Sequence, residues 1–460
     1  MESYGRRVIW SDAEEITAEN VVSEFRNAYL THLQNRSEID RLYDYNRGKQ
    51  DIRFREKEVR PEIKSIITEN RFNAITSFKV GYLVGKPIQY ICATADESTA
   101  TEVLKLNDYM RSAGKITKDR ELVEWLMIGG IGHRMVLPKK KKGERVSFNV
   151  YTLDPRNSFC VRVNDYTQRT LFGCTYKLPI VGANESMGEP IATIYTEDKV
   201  FTVEGGRLTS VKPNPIGMIP IIEYSANLER LGAAEVVLPL LDAVNELDSN
   251  RLDSVKQFVE SLLVAYNCDF DEDVTANKIR EAGMIALKSI NGLNADIKVI
   301  SETLNQTDNE TLKSSLIQAI NEIAGMPSQS NGNSTDSSNN GAIVLKNGWQ
   351  GAETRAQEFE AMFVGSEREM LEVISRICAS QGTLNFDPDE LDVKFTRRQF
   401  EDILSKAQTL TTMLKSDYVH PRMAYEASGL FVDAEDAMRQ GIEWHETHMK
   451  EGETNEPTEI

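Results

Sequence analysis

No run of about twenty apolar residues occurs in these 460 residues, so no membrane-spanning helix is expected. Histidine and cysteine are scarce, at five each. The cysteines (Cys92, Cys160, Cys174, Cys268, Cys378) are scattered and odd in number. They have no zinc-ligand spacing and read as free, mostly buried thiols of a reducing compartment. A basic excess is also missing: 53 Lys and Arg face 71 Asp and Glu, for a net charge of −18. Such a chain repels phosphates at long range, which argues against a basic, sequence-reading DNA-binding domain. The opening stretch MESYGRRVIWSDAEE lacks the apolar centre of a signal peptide, so an intracellular product is expected. There is no nucleophile elbow and no internal repeat.

Several motifs come close to a known chemistry and stop short. GYLVGKP (Gly81–Pro87) is one residue too short for a phosphate loop, and Pro87 stands where a metal-binding Ser or Thr is required. GGIGHRM carries Met135 where a dinucleotide fingerprint needs its third glycine; a strand-entry turn explains it better. DFDEDVTANKIRE starts like a calcium loop at Asp269, Asp271 and Asp273, but has Val274 at the sixth position and Arg280 at the twelfth. HETH separates His445 from His448 by three residues, not the four of a zinc-protease helix. The densest basic feature, Lys139–Lys142, reads as a solvated hairpin tip. No metal, cofactor or catalytic residue is therefore expected.

What is present is a soluble composition, 40 % hydrophobic and 27 % charged, with an ordered succession of elements. Residues 17–85 read as helical, with Val21, Phe25, Tyr29 and Leu33 at i+4 spacing. Residues 88–225 read as an α+β block: the helix KITKDRELVEWLMIGG, a hairpin around the Lys-rich turn, then further strands. From Ala233 a long helix carries Leu241, Val244, Leu252, Val255, Val259 and Leu262, its apolar face broken by the polar run Glu246–Arg251. A short insert has two small strands, Met284–Lys288 and Ile297–Ile300. The helix TDNETLKSSLIQAINEIAG follows, then the fifteen residues Ser328–Ala342, with no large apolar side chain and one charge, Asp336. Helix connections in compact domains usually take about 2–8 residues, so a loop this long asks for a function. A long helix from about Ala352 to Cys378 aligns Phe359, Phe363, Met370, Ile374 and Ile377 on one stripe. Short helices over 397–448 and an acidic tail over 449–460 complete the chain.

This order of elements resembles the portal proteins of tailed bacteriophages, in the branch found in long-tailed phages of Gram-positive bacteria. The stretches LYDYNRGKQDI, ENRFNAITSFKVGYLVGKPIQY and AAEVVLPLLDAVNELDSNRLDSVKQFVESLLV carry the likeness, which covers about residues 20–380. The resemblance implies an α+β, mainly helical portal fold with wing, stem, clip and crown regions, assembling into a ring, usually of twelve subunits. On it, residues 1–235 are wing, 236–265 a stem helix, 266–304 the clip, 305–326 a second stem helix and 327–345 the tunnel loop. Residues 346–384 are the long wing helix, 385–448 the crown and 449–460 a disordered tail.

The resemblance further implies a non-enzymatic channel at one capsid vertex for double-stranded DNA during packaging and ejection. Its partners would be the terminase packaging motor, a head–tail adaptor, and the major capsid and scaffolding proteins, with no membrane and no cofactor; it would reside in the virion, and in the host cytoplasm during assembly. Expected channel residues are Ser328, Asn331, Asn333, Ser337, Asn339 and Asn340 of the loop, with Lys288, Lys298, Lys313 and Lys346 as basic candidates. Ile285, Leu287, Ile297 and Val299 are the expected docking residues of the clip, whose strands, marginal alone, are expected to pair with a neighbouring subunit. Two other readings stay open: a virion ring or connector that never touches DNA, and an unrecognised enzyme. DNA inside an assembled ring separates the first, and a strictly monomeric or dimeric chain would favour the second.

Overall fold

A computed structural model of the chain describes residues 5–58, 61–92, 97–139, 146–181, 186–259, 262–266, 268–269, 288–289, 296–300, 306–327, 349–397, 403–416, 418–431 and 433–453. It divides into two compact units, one of Met1–Arg47, Asn70–Leu238 and Asn321–Ile460, the other of Gly48–Glu69 and Pro239–Ile320.

In the first unit, α1 (Val21–Asn46) buries Val21, Phe25, Ala28, His32, Asn35, Ile39 and Leu42. Those steps of four and three keep pace with 3.6 residues per turn. A strict i+4 series drifts about 40° per step, which is why Leu33 ends 38 % exposed. Of the stretch 17–85 that reads as helical, the part between α1 and the next helix is not α-helix. After α1 come a 3-10 turn at Asp51–Phe54, a segment without helix, and only then α2 (Arg71–Val84). Helix α3 (Glu97–Ser112), which the periodicity did not signal, precedes α4 (Lys115–Gly129). Gly130 ends α4 at φ 79, and a Cβ there would stand 2.1 Å from the Arg230 carbonyl oxygen, so only glycine fits.

The strands follow in chain order: β1 (Trp10–Ser11), β2 (Gln89–Cys92), β3 (Ile131–Pro138), β4 (Phe148–Leu153), β5 (Ser158–Val163), β6 (Thr170–Lys177), β7 (Ile180–Val181), β8 (Ser186–Met187), β9 (Ile191–Tyr195), β10 (Lys199–Glu204), β11 (Arg207–Pro213) and β12 (Ile221–Ser225). One sheet has the order β1-β5-β6-β9-β10-β11, and a second the order β12-β3-β4. The expected hairpin is β3 against β4, antiparallel, with His133 opposite Leu153. Of its Lys-rich turn, 140–145 lies outside the described residues.

Two large apolar cores stand out among the described residues. One lies between α1 and the larger sheet and holds Phe25, Phe159, Phe172 and Phe201. The other holds Leu106, Leu122, Phe148 and Tyr224 together with Phe359, Phe363, Met370 and Ile374. The last four belong to the long helix α7 (Trp349–Gln381), and the expected stripe is its buried face.

The second unit contains α5 (Leu238–Val259) and α6 (Gln306–Ala324), whose last four residues belong to the first unit. The helix expected to reach residue 265 ends earlier: Leu262–Tyr266 is strand β13, antiparallel to β16 (Asp296–Ile300). β14 (Cys268–Asp269) pairs with β15 (Lys288–Ser289). The insert's described strands find partners within the same chain, where closing a short loop costs little. The rest of the expected strand, 284–287, lies outside the described residues.

Beyond α7, β17 (Leu391–Lys394) pairs antiparallel with β2, and Leu384, Phe386 and Leu391 are buried in the second core. Residues 385–394 therefore pack into the body of the first unit. Helices α8 (Ile403–Leu414), α9 (Pro421–Ser428) and α10 (Ala434–Glu453) follow, so helix covers the first five residues of the expected tail, which begins at 449. Among the described residues no helix is long and apolar enough to cross a membrane.

Candidate functional site

The expected channel and docking residues fall unevenly on the structure. Ser328, Asn331, Asn333, Ser337, Asn339, Asn340, Lys346, Ile285 and Leu287 lie outside the described residues. Ile297, Lys298 and Val299 occupy consecutive register positions of β16, opposite Ala265, Val264 and Leu263. Lys288 is opposite Asp269 in the short β14–β15 pair. Lys313 is the one candidate whose side chain is described. Its Nζ lies 2.9 Å from Asp248 Oδ2 and 3.1 Å from Glu69 Oε2, so two carboxylates of its own unit already hold its charge.

The two helices that flank the polar loop end in the first unit and are fixed there. Gly325 closes α6 at φ 64, and a Cβ would meet the Arg355 side chain at 2.4 Å. Glycine leaves room for the Arg355 side chain of α7 beside the carboxyl end of α6, where a positive charge is favourable. At the start of α7, Trp349 packs 6.0 Å from Phe78 and 5.9 Å from Tyr82, ring centre to ring centre. Tyr82 donates to Glu353 at 2.7 Å, and Arg397 holds Glu353 and Glu360 from the other side. Burial and the Glu353 carboxylate push the Tyr82 hydroxyl well above its ordinary pKa, so it stays a donor. Both ends of the loop therefore depart from beside α2. There a cavity of about 690 Å³ is lined by Phe78, Lys79, Tyr82, Leu228, Ile323 and Arg355 among others.

Sequence reasoning missed a buried charge cluster that ties this body together. Lys115 Nζ lies 2.8 Å from Asp119 Oδ1 and 2.7 Å from Glu367 Oε1. Arg134 bridges the same two carboxylates at 2.6 and 3.1 Å. Tyr90 and Tyr224 donate to Glu367 at 2.6 and 2.8 Å. Burial pushes the Glu367 carboxyl up, but the Lys115 and Arg134 charges more than offset it and hold the group below its ordinary range. Two cations meet two anions, so the quartet is neutral, and it joins α4, β3 and α7. The sequence did hold a signal: Glu367 interrupts an otherwise apolar stripe on α7.

A second buried group resembles a hydrolase triad. His133 Nδ1 lies 3.0 Å from Ser158 Oγ, and its Nε2 lies 3.5 Å from Glu223 Oε2. Ser158 and His133 are 1 % and 0 % exposed, and the Ser158 hydroxyl donates to the Asp154 carbonyl at 2.8 Å. No substrate reaches that hydroxyl, and its proton is directed away from the imidazole. Glu223 is instead held by Arg230 at 2.6 and 3.0 Å. The arrangement is a structural network.

A family model described as "Phage portal protein, SPP1 Gp6-like" matches residues 29–440 of the chain. No curated protein matches it.

Proposed function

Because the chain belongs to the SPP1 Gp6-like phage portal protein family, we propose that it assembles as a ring of twelve copies around a channel for double-stranded DNA. The family is structural rather than enzymatic; it belongs to the virion and serves genome packaging as an oligomeric ring. The observation that carries the reading is the family match over almost the whole chain, residues 29–440.

Within it, Ser328–Ala342 is the segment facing the duplex. Its Ser, Asn and Gly side chains exchange hydrogen bonds with water and phosphates, while its near-absence of charge neither grips nor strongly repels the passing backbone. Lys288, Lys298 and Lys346 are the basic positions assigned to phosphate guidance, and Lys313, already paired, is assigned to the stem itself. Ile285, Leu287, Ile297 and Val299 belong to the region on which the terminase motor and then a head–tail adaptor dock. The wing surface faces the major capsid and scaffolding proteins, and assembly takes place in the host cytoplasm.

Electron microscopy of the purified protein tests the reading: rings with a central channel wide enough for B-DNA are expected. A chain that stays monomeric or dimeric under all conditions would overturn it. Deleting Asn331–Asn339 should leave rings intact but impair packaging or DNA retention. Unchanged packaging would remove the loop from the channel.

A further inference from the structure

We propose that the cavity beside α2 is an intersubunit socket, filled in the assembled ring by an apolar side chain and a carboxylate of the neighbouring copy of this chain. The proposal rests on the ring reading above and specifies one of its contact surfaces. A ring of identical subunits requires a heterologous contact, in which a concave patch on one copy receives a different, convex patch of the next.

Three features of the cavity support it. It is concave and bordered by apolar side chains left in water: Leu228 is 81 % exposed, Val236 62 % and Ile323 43 %. Apolar groups of this size grouped around a hollow mark a contact surface, unlike the same groups scattered singly. The charges that line it are equal in number but not paired with one another. Lys79 and Arg355 both line the cavity, and the Arg355 charge disfavours the Lys79 ammonium. Glu229 and Glu358 line it as well, yet among the described residues neither pairs with Lys79 or Arg355. Burial, reinforced by Arg355, lowers the Lys79 ammonium to about 8. A half-buried ammonium at Lys79, with no ion-pair partner among the described residues, is relieved by a carboxylate from outside. The same chain supplies one readily, with 71 acidic against 53 basic residues. A DNA phosphate would answer the charge but not the apolar rim, because the outside of a duplex offers no apolar side chain to fill the hollow.

Acylation of lysines by a water-soluble acetylating reagent, read residue by residue by mass spectrometry, tests this on the unaltered full-length chain. In dissociated subunits Lys79 should be among the fastest lysines to react near pH 8. In assembled rings its labelling should fall at least tenfold, without DNA present. The variants Leu228→Asp and Val236→Asp should raise the concentration needed for ring assembly at least tenfold, with far-ultraviolet circular dichroism unchanged. Rings in which Lys79 reacts as fast as in free subunits would overturn the socket while leaving the portal reading intact. Protection that appears only on adding duplex DNA would also overturn it, in favour of a phosphate. A wild-type chain that never assembles would overturn both the ring and the socket.

Discussion

Charge inside the protein is tolerable only where every partner is present. Removing one member of the Lys115–Asp119–Arg134–Glu367 quartet strands the others in low dielectric. Glu367→Gln should therefore cost about 3–5 kcal/mol, seen as a lowered midpoint in denaturant titration. The exposed pair Arg422–Glu426, at 2.9 Å with side chains 48 % and 53 % exposed, is its control. Glu426→Gln there should leave that midpoint nearly unchanged. A comparable loss from both would refute the role given to burial. His32 gives a second residue-scale outcome. Burial lowers it from 6.5 to about 4, against the hydrogen bond with the Arg156 carbonyl. The folded state then binds the proton less readily than the unfolded state, so stability is full above about pH 6.5 and falls as the pH drops toward 4. The loss is roughly 3 kcal/mol over that window, at about 1.4 kcal/mol per unit. His32→Gln should flatten this part of a stability-versus-pH profile, and an unchanged slope would show that other groups set it.

At the scale of elements, the second unit uses a helix as a template for extended chain. Asn245, Ser249 and Asp253, four residues apart on α5, accept from the amides of Glu69, Ile67 and Ser65 at 2.8, 3.0 and 2.6 Å. Four helical residues rise about 6.0 Å, and two extended residues span about 6.6 Å. Alternate amides of the segment therefore meet every fourth side chain of the helix, running antiparallel. This is why the polar Asn245 and Ser249 can be buried, both 0 % exposed, while Glu246 and Asn250 beside them face solvent. Ser249→Ala should leave the partly buried Ile67 amide without its partner and cost about 1 kcal/mol or more. Hydrogen exchange at Ile67 should accelerate with it, and unchanged protection there would mean the amide is satisfied otherwise. At the junction of α6 and α7, Gly325→Ala combines a left-handed backbone with a clash on Arg355. A loss of at least about 1 kcal/mol is expected in thermal or denaturant unfolding.

For the molecule as a whole, the net charge of −18 suits a conduit rather than a clamp. Nonspecific DNA binders reach Kd values of about 10⁻⁴–10⁻⁶ M through many phosphate contacts and lose them steeply with salt. The free chain should bind a short duplex more weakly than this range at physiological salt in a fluorescence anisotropy titration. Tight, steeply salt-dependent binding would contradict a surface over which DNA slides. Long-range repulsion is screened beyond about 8 Å under those conditions, so local placement of lysines matters more than the total.

The sequence by itself determined the succession of helices and strands, the buried stripe of α7 with Phe359, Phe363, Met370, Ile374 and Ile377, the β3–β4 hairpin and the family. Each is written in local periodicity or in the order of elements along the chain. Only the tertiary structure decided that α5 stops at Val259, that β13 pairs with β16, and that Leu391–Lys394 joins the body through β2. It also decided what the polar residues do: Lys313 turned out to be paired, Glu367 neutralised, and Asn245, Ser249 and Asp253 bonded to backbone amides. Apolar burial follows a repeat that one segment displays alone. A buried charge or amide is stable only through a partner that is distant in sequence, here up to 252 positions away for Lys115 and Glu367, and no local pattern records that partner.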